Sequence, residues 1–449
     1  MSYNFDEVWN TCLLFNIEQK PEEYKPFLDF LFDNSKKKYA LEIGSNYGGT
    51  ACGLCHIFEN VITLDIKHHE NFDKLKQLFP HYQYIIGDSR SNDILELFKR
   101  MNIKFDFIFI DGDHSYEGVK NDYEKYKNLL ASDGYIGFHD IIESSENKNN
   151  NIFVHQLWNE LKETYPDNHS FFCNSDTHSY KKDNLFHQIM SSRSYENWGG
   201  IGLIKNSPVY IFCHNYLINN WESVVSRQFK KLVDSHLYFR SDYIFFGVCS
   251  PSDDDYDRFL TLIKSWDVLN KIKIERYLIN NYEFPTLIHL QNYCKNNTIG
   301  TVLYYHTKGI SKNPNDECIK SWSVCLEYFN IENWKLNLKN LQSGHFDISG
   351  ALYTTFYTLI DDNNSLITNY KDYYSGNFWW ATSNHICNLP NLIEVVNDEN
   401  NRKKWDYRVL AEMWIGSGQF FRWSNLYNGI SGDYFKHIWN PLEYEFKKS

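Results

Sequence analysis

The stretch FIFIDGDHSYEGV, residues 107–119, changes character halfway along. Its first four residues, Phe107 to Ile110, have the apolar content of a strand buried on both faces. They run into Asp111, Gly112, Asp113 and His114 before a helical spacing begins at Tyr116. Two readings compete for the polar residues. As a structural turn, Asp and Ser are ordinary caps for the helix that follows. As a catalytic site, two carboxylates and an imidazole stand at the carboxyl end of a strand, where open α/β sheets hold their ligands. Taken alone, the stretch does not separate the two.

Outward from it, residues 38–205 alternate short apolar runs with amphipathic stretches. Tyr39–Ile43, Val61–Asp65, Gln83–Ile86, Asp106–Ile110 and Tyr135–Phe138 read as buried parallel strands. Gly49–Phe58, Phe72–Leu78, Ser91–Met101, Tyr116–Leu130 and Val154–Thr164 carry helical spacing. The asparagine-rich Ser144–Asn151 reads as a loop, and Gly199–Ile204 as a closing strand. The pattern predicts an α/β fold with a doubly wound, Rossmann-like N-terminal domain.

At 449 residues the chain exceeds one ordinary core, so two domains are expected, split at the proline-bearing Asn206–Pro208 into residues 1–205 and 206–449. A formal charge of −12 argues against nucleic acid as the main partner. The apolar runs are strand-sized, which predicts no membrane span. Ten cysteines show no regular framework, and no signal peptide opens the chain. Both point to a reducing, cytoplasmic setting. Cys52 and Cys55 read as small buried residues on a helix rather than half of a zinc site.

The first strand ends in LEIGSNYGGT, residues 41–50. A dinucleotide fingerprint would carry a glycine at Asn46, so a pyrophosphate is not expected there. A ligand with an adenosine and no phosphate accepts this looser turn. Asp65, ending the second strand, is placed to accept two ribose hydroxyls, and Asp88 or Ser89 in GDSRS reaches an adenine edge.

In order along the chain, LEIGSNYGGT, VITLDI, IIGDSRS, FDFIFIDGDHSYEGVKNDYEKY and GYIGFHD resemble the motifs of class I S-adenosylmethionine-dependent methyltransferases. More narrowly they resemble the macrocin-type sugar O-methyltransferases, over residues 35–205. The resemblance implies S-adenosylmethionine as cofactor, with Glu42, Gly44 and Ser45 near its methionine end, Asp65 on the ribose, Asp88 and Ser89 by the adenine, and Asp111 also among the cofactor-binding residues. It also implies a divalent ion, magnesium or manganese, on Asp111 and Asp140, and His114 as the base. His139 stands where that group carries an acid. The residue types suit the task, because a sugar hydroxyl is a poor nucleophile until a base near neutral pKa takes its proton. A hard ion held by carboxylates would orient neighbouring oxygens.

Strands are expected again at Val209–Cys213, Asp242–Val248, Lys273–Leu278 and Gly300–Tyr305, with helices from about Asn219 and over Phe284–Asn296. VLYYHTKGIS, residues 302–311, ends a strand on His306, Lys308 and Gly309, a combination suited to a diphosphate. YYSGNFWWAT, residues 373–382, sets Asn377 among aromatics, Trp379 and Trp380 included, a mix that stacks on a sugar. YRVLAEMWI, residues 407–415, puts Arg408 and Glu412 on one helical face. Each has a plain structural alternative: a turn, an aromatic core, an intrahelical ion pair.

Together these stretches resemble a glycosyltransferase domain found in large DNA viruses and bacterial surface-glycan clusters. That resemblance implies a GT-A-like α/β fold, a nucleotide-sugar donor and a saccharide acceptor, with Glu412 or Asp347 as the base. The acidic SDDDYD, residues 252–257, reads as a solvated helix start. The overall expectation is a bifunctional glycan enzyme. One alternative makes the second half a non-catalytic carbohydrate-binding module. Another is an NAD-dependent oxidoreductase using the Tyr123/Lys127 spacing.

Overall fold

The computed structural model describes residues 4–165, 167–172, 198–313, 315–356, 371–399, 407–418, 421–428 and 437–444, apart from the side chains of 146, 355, 356, 371, 407–409 and 443. The chain divides into two compact units, Met1–Asn206 and Ser207–Ser449. No described helix is long and apolar enough to cross a membrane.

The first unit is built on strands β1 (Tyr39–Ile43), β2 (Asn60–Asp65), β3 (Tyr82–Ile86), β4 (Phe105–Ile110), β5 (Leu130–His139), β6 (Asn168–Phe171) and β7 (Ile201–Lys205). Their order in the sheet is β3-β2-β1-β4-β5-β7-β6. The first five are mutually parallel, and β7 runs antiparallel to both β5 and β6. Alternation along β4 separates two cores. Phe107 and Phe109 pack on one face with Phe27 and Phe58, while Ile108 and Ile110 pack on the other with Val119 and Trp158. Burial on both faces explains why the strand reads as an unbroken apolar run.

Helices α1 (Phe5–Leu13), α2 (Pro21–Asn34), α3 (Gly49–Cys55), α4 (Glu70–Leu78), α5 (Asn92–Met101), α6 (Tyr116–Tyr126), α7 (Ser145–Asn149) and α8 (Val154–Thr164) complete the described part of this unit. The expected loop at Ser144–Asn151 thus holds a short helix. Ser144 Oγ accepts the Asn147 N–H at 3.0 Å, and the Asn147 amide reaches back to the Ile142 carbonyl at 2.8 Å, which folds the segment on itself. Cys52 and Cys55 are buried on α3, as expected.

Strand order reverses between β1 and β4, so the loops leaving these two strands diverge and open a crevice at their carboxyl ends. The two loops touch at Gly44. It adopts φ +82°, and a Cβ there would lie 2.4 Å from the Asp111 carbonyl oxygen. Gly49 has another reason: its Cβ would fall 2.3 Å from the Ile17 Cα, so the segment between α1 and α2 packs directly on the start of α3.

The second unit repeats the opening arrangement. Strands β8 (Val209–Tyr216), β9 (Tyr243–Cys249), β10 (Ile272–Tyr277) and β11 (Thr301–His306) are parallel, and β12 (Ile348–Gly350), β13 (Tyr353–Phe356), β14 (Lys371–Tyr374), β15 (Trp379–Thr382) and β16 (Trp423–Asn425) follow. The main sheet runs β10-β9-β8-β11-β15-β12-β16, with β15 antiparallel to its neighbours, and β13 pairs with β14 separately. Its switch point lies between β8 and β11. The helix Asp253–Trp266 is capped by Ser252, whose hydroxyl accepts from the Asp255 N–H, so the acidic run is a helix start as read.

Gly44→Ala is expected to lose about 1–3 kcal/mol from backbone strain alone, before the overlap with Asp111 is counted. The readout is a lower denaturant midpoint at unchanged slope. An unchanged midpoint would contradict the close approach of the two loops.

Candidate functional site

A cavity of about 790 Å³ fills the crevice. Its walls come from the segment before α2, the loops after β1, β2 and β3, the Asp111–His114 turn, and His139–Asp140 at the end of β5. Four of the five chain segments quoted for the first domain's site meet here with the end of the fifth.

The turn after β4 carries both a helix cap and cavity-lining residues. Asp113 Oδ1 accepts the Ser115 N–H at 3.0 Å, and Ser115 Oγ accepts the Gly118 N–H at 3.1 Å. Capping is therefore done by Asp113 and Ser115. Gly118 leaves the room for this, since a Cβ there would meet the Asp113 side chain at 2.1 Å. Asp111 and His114 line the cavity, and so does Asp113.

Asp111 and His114 join a buried charge cluster. His114 Nδ1 lies 2.8 Å from Asp140 Oδ2, and its Nε2 is 3.9 Å from Asp111 Oδ1. His139 Nδ1 lies 3.3 Å from Asp111 Oδ1 and 3.7 Å from Asp140 Oδ1. Its Nε2 faces Glu23 Oε1 at 3.3 Å. Asp111 Oδ2 accepts from the Gln19 amide at 2.9 Å, and Gln19 in turn accepts from Thr50 Oγ1 at 2.5 Å. Burial alone would lower the pKa of both histidines. The neighbouring carboxylates outweigh it and raise them, Asp140 most for His114 and Asp111 most for His139. Burial would push the Asp140 carboxyl up, but the charges of His139 and His114 hold it at about 2.

The adenosine side is arranged differently from a simple ribose clamp. Asp65 Oδ2 accepts the backbone N–H groups of Ser45 and Asn46, each at 2.9 Å, and Oδ1 accepts that of Lys67 at 3.0 Å. The carboxylate thus shapes the turn while standing on the cavity wall. Glu42 sits beneath that turn, fully buried, with Oε2 accepting from Ser45 Oγ at 2.6 Å, and burial pushes its carboxyl well up. Asp88 binds its own neighbour Arg90, and Ser89 lines the wall beside it. Asp111, His139 and Asp140 each offer a ligand atom, all within 4.8 Å of one another. Those donors fit a divalent ion, and the Glu23 carboxylate behind His139 is the kind of partner that fixes a ligating imidazole.

Glu18, Gln19 and Glu23 carry no site signal in the sequence. They lie in IEQKPEE, residues 17–23, where acids beside a proline signal only a helix start.

In the second unit, Lys308 and Glu412, read from separate motifs, come within 3.9 Å of each other, and the Lys308 ammonium sits 4.3 Å over the Trp322 ring. His306 Nε2 bonds the Gly376 carbonyl at 2.9 Å. Gly309 turns the chain at φ +78°. Glu283, unnoticed in the sequence, anchors this end of the sheet by accepting from Tyr304 Oη at 2.8 Å and the Asn377 amide at 2.6 Å.

Three expectations are corrected. Asn377, Trp379 and Trp380 have no exposed surface, and both indole N–H groups are used internally, on Asn377 Oδ1 and on the Asn330 carbonyl. They are core, with no face for a sugar, so they are not the platform the carbohydrate-module reading named. Asp347 precedes β12, level with the start of β11, because the Thr382 N–H donates to its carbonyl and Thr382 pairs with Thr301. It therefore stands five residues from His306 along the strand direction, about 16 Å. Its carboxylate holds Arg422. Tyr123 is buried with its hydroxyl on that of Tyr165, so the Tyr123/Lys127 pair of the oxidoreductase reading lies away from the cavity wall. The Arg408 side chain lies outside the described residues.

The model of a family described as a methyltransferase domain matches residues 41–141. Curated proteins give no match. Among solved structures, the chain is similar to the MycE methyltransferase of the mycinamycin biosynthetic pathway, in complex with Mg and SAH. That likeness has 16% identity, 31% of this chain, 42% of that one and a TM-score of 0.26. It is also similar to the N-methyltransferase NodS from Bradyrhizobium japonicum, with SAH, at 13% identity, 44% and 97% coverage and a TM-score of 0.32. A third is an O-methyltransferase from Bacillus cereus, with SAH, at 17% identity, 46% and 92% coverage and a TM-score of 0.31. The chain spans about two fifths of the length of the MycE chain. Residues 41–141 carry a methyltransferase domain.

The stability Asp140 contributes is present in full above about pH 4, where an ordinary carboxylate is ionised, and is lost as pH falls through its folded value. Asp140→Asn should therefore unfold in less urea than the parent at pH 7, with the gap in midpoint closing below about pH 4. A gap that stays constant down to the acid transition would show that these ion pairs contribute nothing.

Proposed function

We propose that the first unit transfers a methyl group from S-adenosylmethionine to a saccharide hydroxyl. The observation that carries the reading is the His114–Asp140 pair on the wall of the cavity. With Nδ1–H donated to Asp140, Nε2 is the nitrogen left to take a proton, and Asp140 stabilises the imidazolium that forms. An oxygen acceptor needs such a base, because a hydroxyl does not give up its proton unaided near neutral pH.

The crevice suits the cofactor. Its volume is within the range of ligand pockets, and Asp65 stands beside a turn with no pyrophosphate loop. When bound, S-adenosylmethionine supplies an electrophilic sulfonium methyl. Gly44 and Ser45 line the methionine end, Asp65 the ribose, and Asp88 and Ser89 the adenine. A divalent ion on Asp111, His139 and Asp140 would supply Lewis acidity toward neighbouring hydroxyl oxygens. Gln19 holds Asp111 in place for either role.

The second unit is read as a glycosyltransferase that uses a nucleotide sugar. Its support is the parallel β10-β9-β8-β11 array with His306, Lys308 and Gly309 at the switch point, where such sheets hold ligands. Lys308 meets the donor diphosphate, and Glu412, beside it, takes the acceptor proton. One unit then adds a sugar and the other caps a hydroxyl with methyl.

His114→Ala should lower methyl transfer by about 10²–10⁴ and leave the calorimetric affinity for S-adenosylhomocysteine nearly unchanged. A loss under about tenfold would make His114 a structural residue only. In the full chain, Lys308→Ala should weaken binding of the nucleoside diphosphate by about 1.5–3 kcal/mol. No calorimetric binding of any nucleoside diphosphate to the parent protein would end the glycosyltransferase reading.

A further inference from the structure

We propose that Asp111, His139 and Asp140 form a mixed oxygen–nitrogen site that prefers manganese(II) to magnesium, and that Glu23 sets this preference by fixing His139. The proposal deepens the reading of the crevice as an O-methyl transfer site and rests on it, but it concerns which ion these residues hold.

Glu23 has no exposed surface, yet both its carboxylate oxygens are engaged. Oε2 accepts the Gly200 N–H at 2.8 Å, and Oε1 accepts the Lys20 N–H at 3.1 Å while facing His139 Nε2. The chain reaches this carboxylate through Gly199 and Gly200, at φ +78° and +83°. A Cβ on Gly199 would lie 3.2 Å from Glu23 Oε2 and 3.5 Å from His139 Nε2, so the backbone closes over the pair from the β7 side. A carboxylate locked in this way accepts Nε2–H, so Nδ1, which faces Asp111 and Asp140, is the nitrogen that exchanges its proton for an ion. It is the arrangement by which proteins orient a ligating histidine.

One imidazole among the donors changes which ion fits. Magnesium is hard, sheds water reluctantly and is held through carboxylates, phosphates and waters. Imidazole nitrogen favours first-row transition ions, and the remaining oxygen donors, two carboxylates with cavity-side water or substrate hydroxyls, suit manganese among them. A third carboxylate at position 139 would make the donor set all oxygen, and the preference would move toward magnesium.

The test needs no turnover. Manganese chloride is titrated into the full chain and the free ion is followed by electron paramagnetic resonance, with magnesium chloride as competitor. Tight binding of one manganese per chain is expected, displaced only by magnesium in about hundredfold excess or more. His139→Asp should narrow that ratio to about tenfold or less. Glu23→Gln, which keeps the shape, should weaken manganese about 10–100-fold, the range for a partner behind a ligand. No manganese binding, displacement by magnesium at near-equal concentration, or a Glu23→Gln protein that binds as the parent does would each overturn the proposal. S-adenosylhomocysteine affinity, measured without metal on the same samples, separates the two readings. If it persists while selectivity fails, only the metal proposal falls; if it is absent, the methyl-transfer reading falls.

Discussion

The crevice depends on a backbone contact between the ends of β1 and β4. The Asp111 N–H donates to the Ile43 carbonyl at 2.8 Å, and Gly44 donates to the Leu64 carbonyl at the same distance. Gly44 then passes so close to Asp111 that no side chain fits between them. Because β1 continues to β2 on one side and β4 to β5 on the other, the two loops part beyond this contact. What opens between them is the cavity, and strand register fixes where the residues at the ends of β1, β2, β4 and β5 stand on its rim.

That rigidity matters because the site concentrates charge. Glu23, Asp111 and Asp140 alternate in space with His114 and His139, so each carboxylate has an imidazole neighbour. A buried acid without such a partner would neutralise or unfold the site. Within the network, Asp140 serves two neighbours through different oxygens, Oδ2 toward His114 and Oδ1 toward His139. A base and an ion-binding group can therefore share one carboxylate without competing for the same atom. The second unit places a comparable polar group, Glu283 with Tyr304 and Asn377, at the carboxyl end of its own central strand.

Much of the first unit was legible because its strands are buried on both faces and write themselves as apolar runs. Phe105–Ile110 is the clearest, and the polar residues that follow it serve both purposes: Asp113 and Ser115 cap the helix, while Asp111, Asp113 and His114 line the cavity. Glu23 and Gln19 could not be read, since they reach the site from a segment about ninety residues away in sequence, held there by tertiary contacts such as Ile17 on Gly49 and the Gly200 N–H on Glu23. Trp379 and Trp380 misled for a physical reason. An aromatic run beside a polar residue looks the same whether it stacks on a sugar or satisfies its own indoles inside a sheet. Asp347 misled because side-chain type carries no information about which end of a strand it occupies.

Hydrogen exchange of the full chain with and without S-adenosylhomocysteine tests the central claim most directly, because it reports where the ligand acts without requiring an acceptor. The account predicts slowed exchange in residues 44–50, 65–69, 87–90 and 111–114, four of the segments that line the crevice. Protection confined to residues 207–449, or no change in those four segments at saturating ligand, would contradict it.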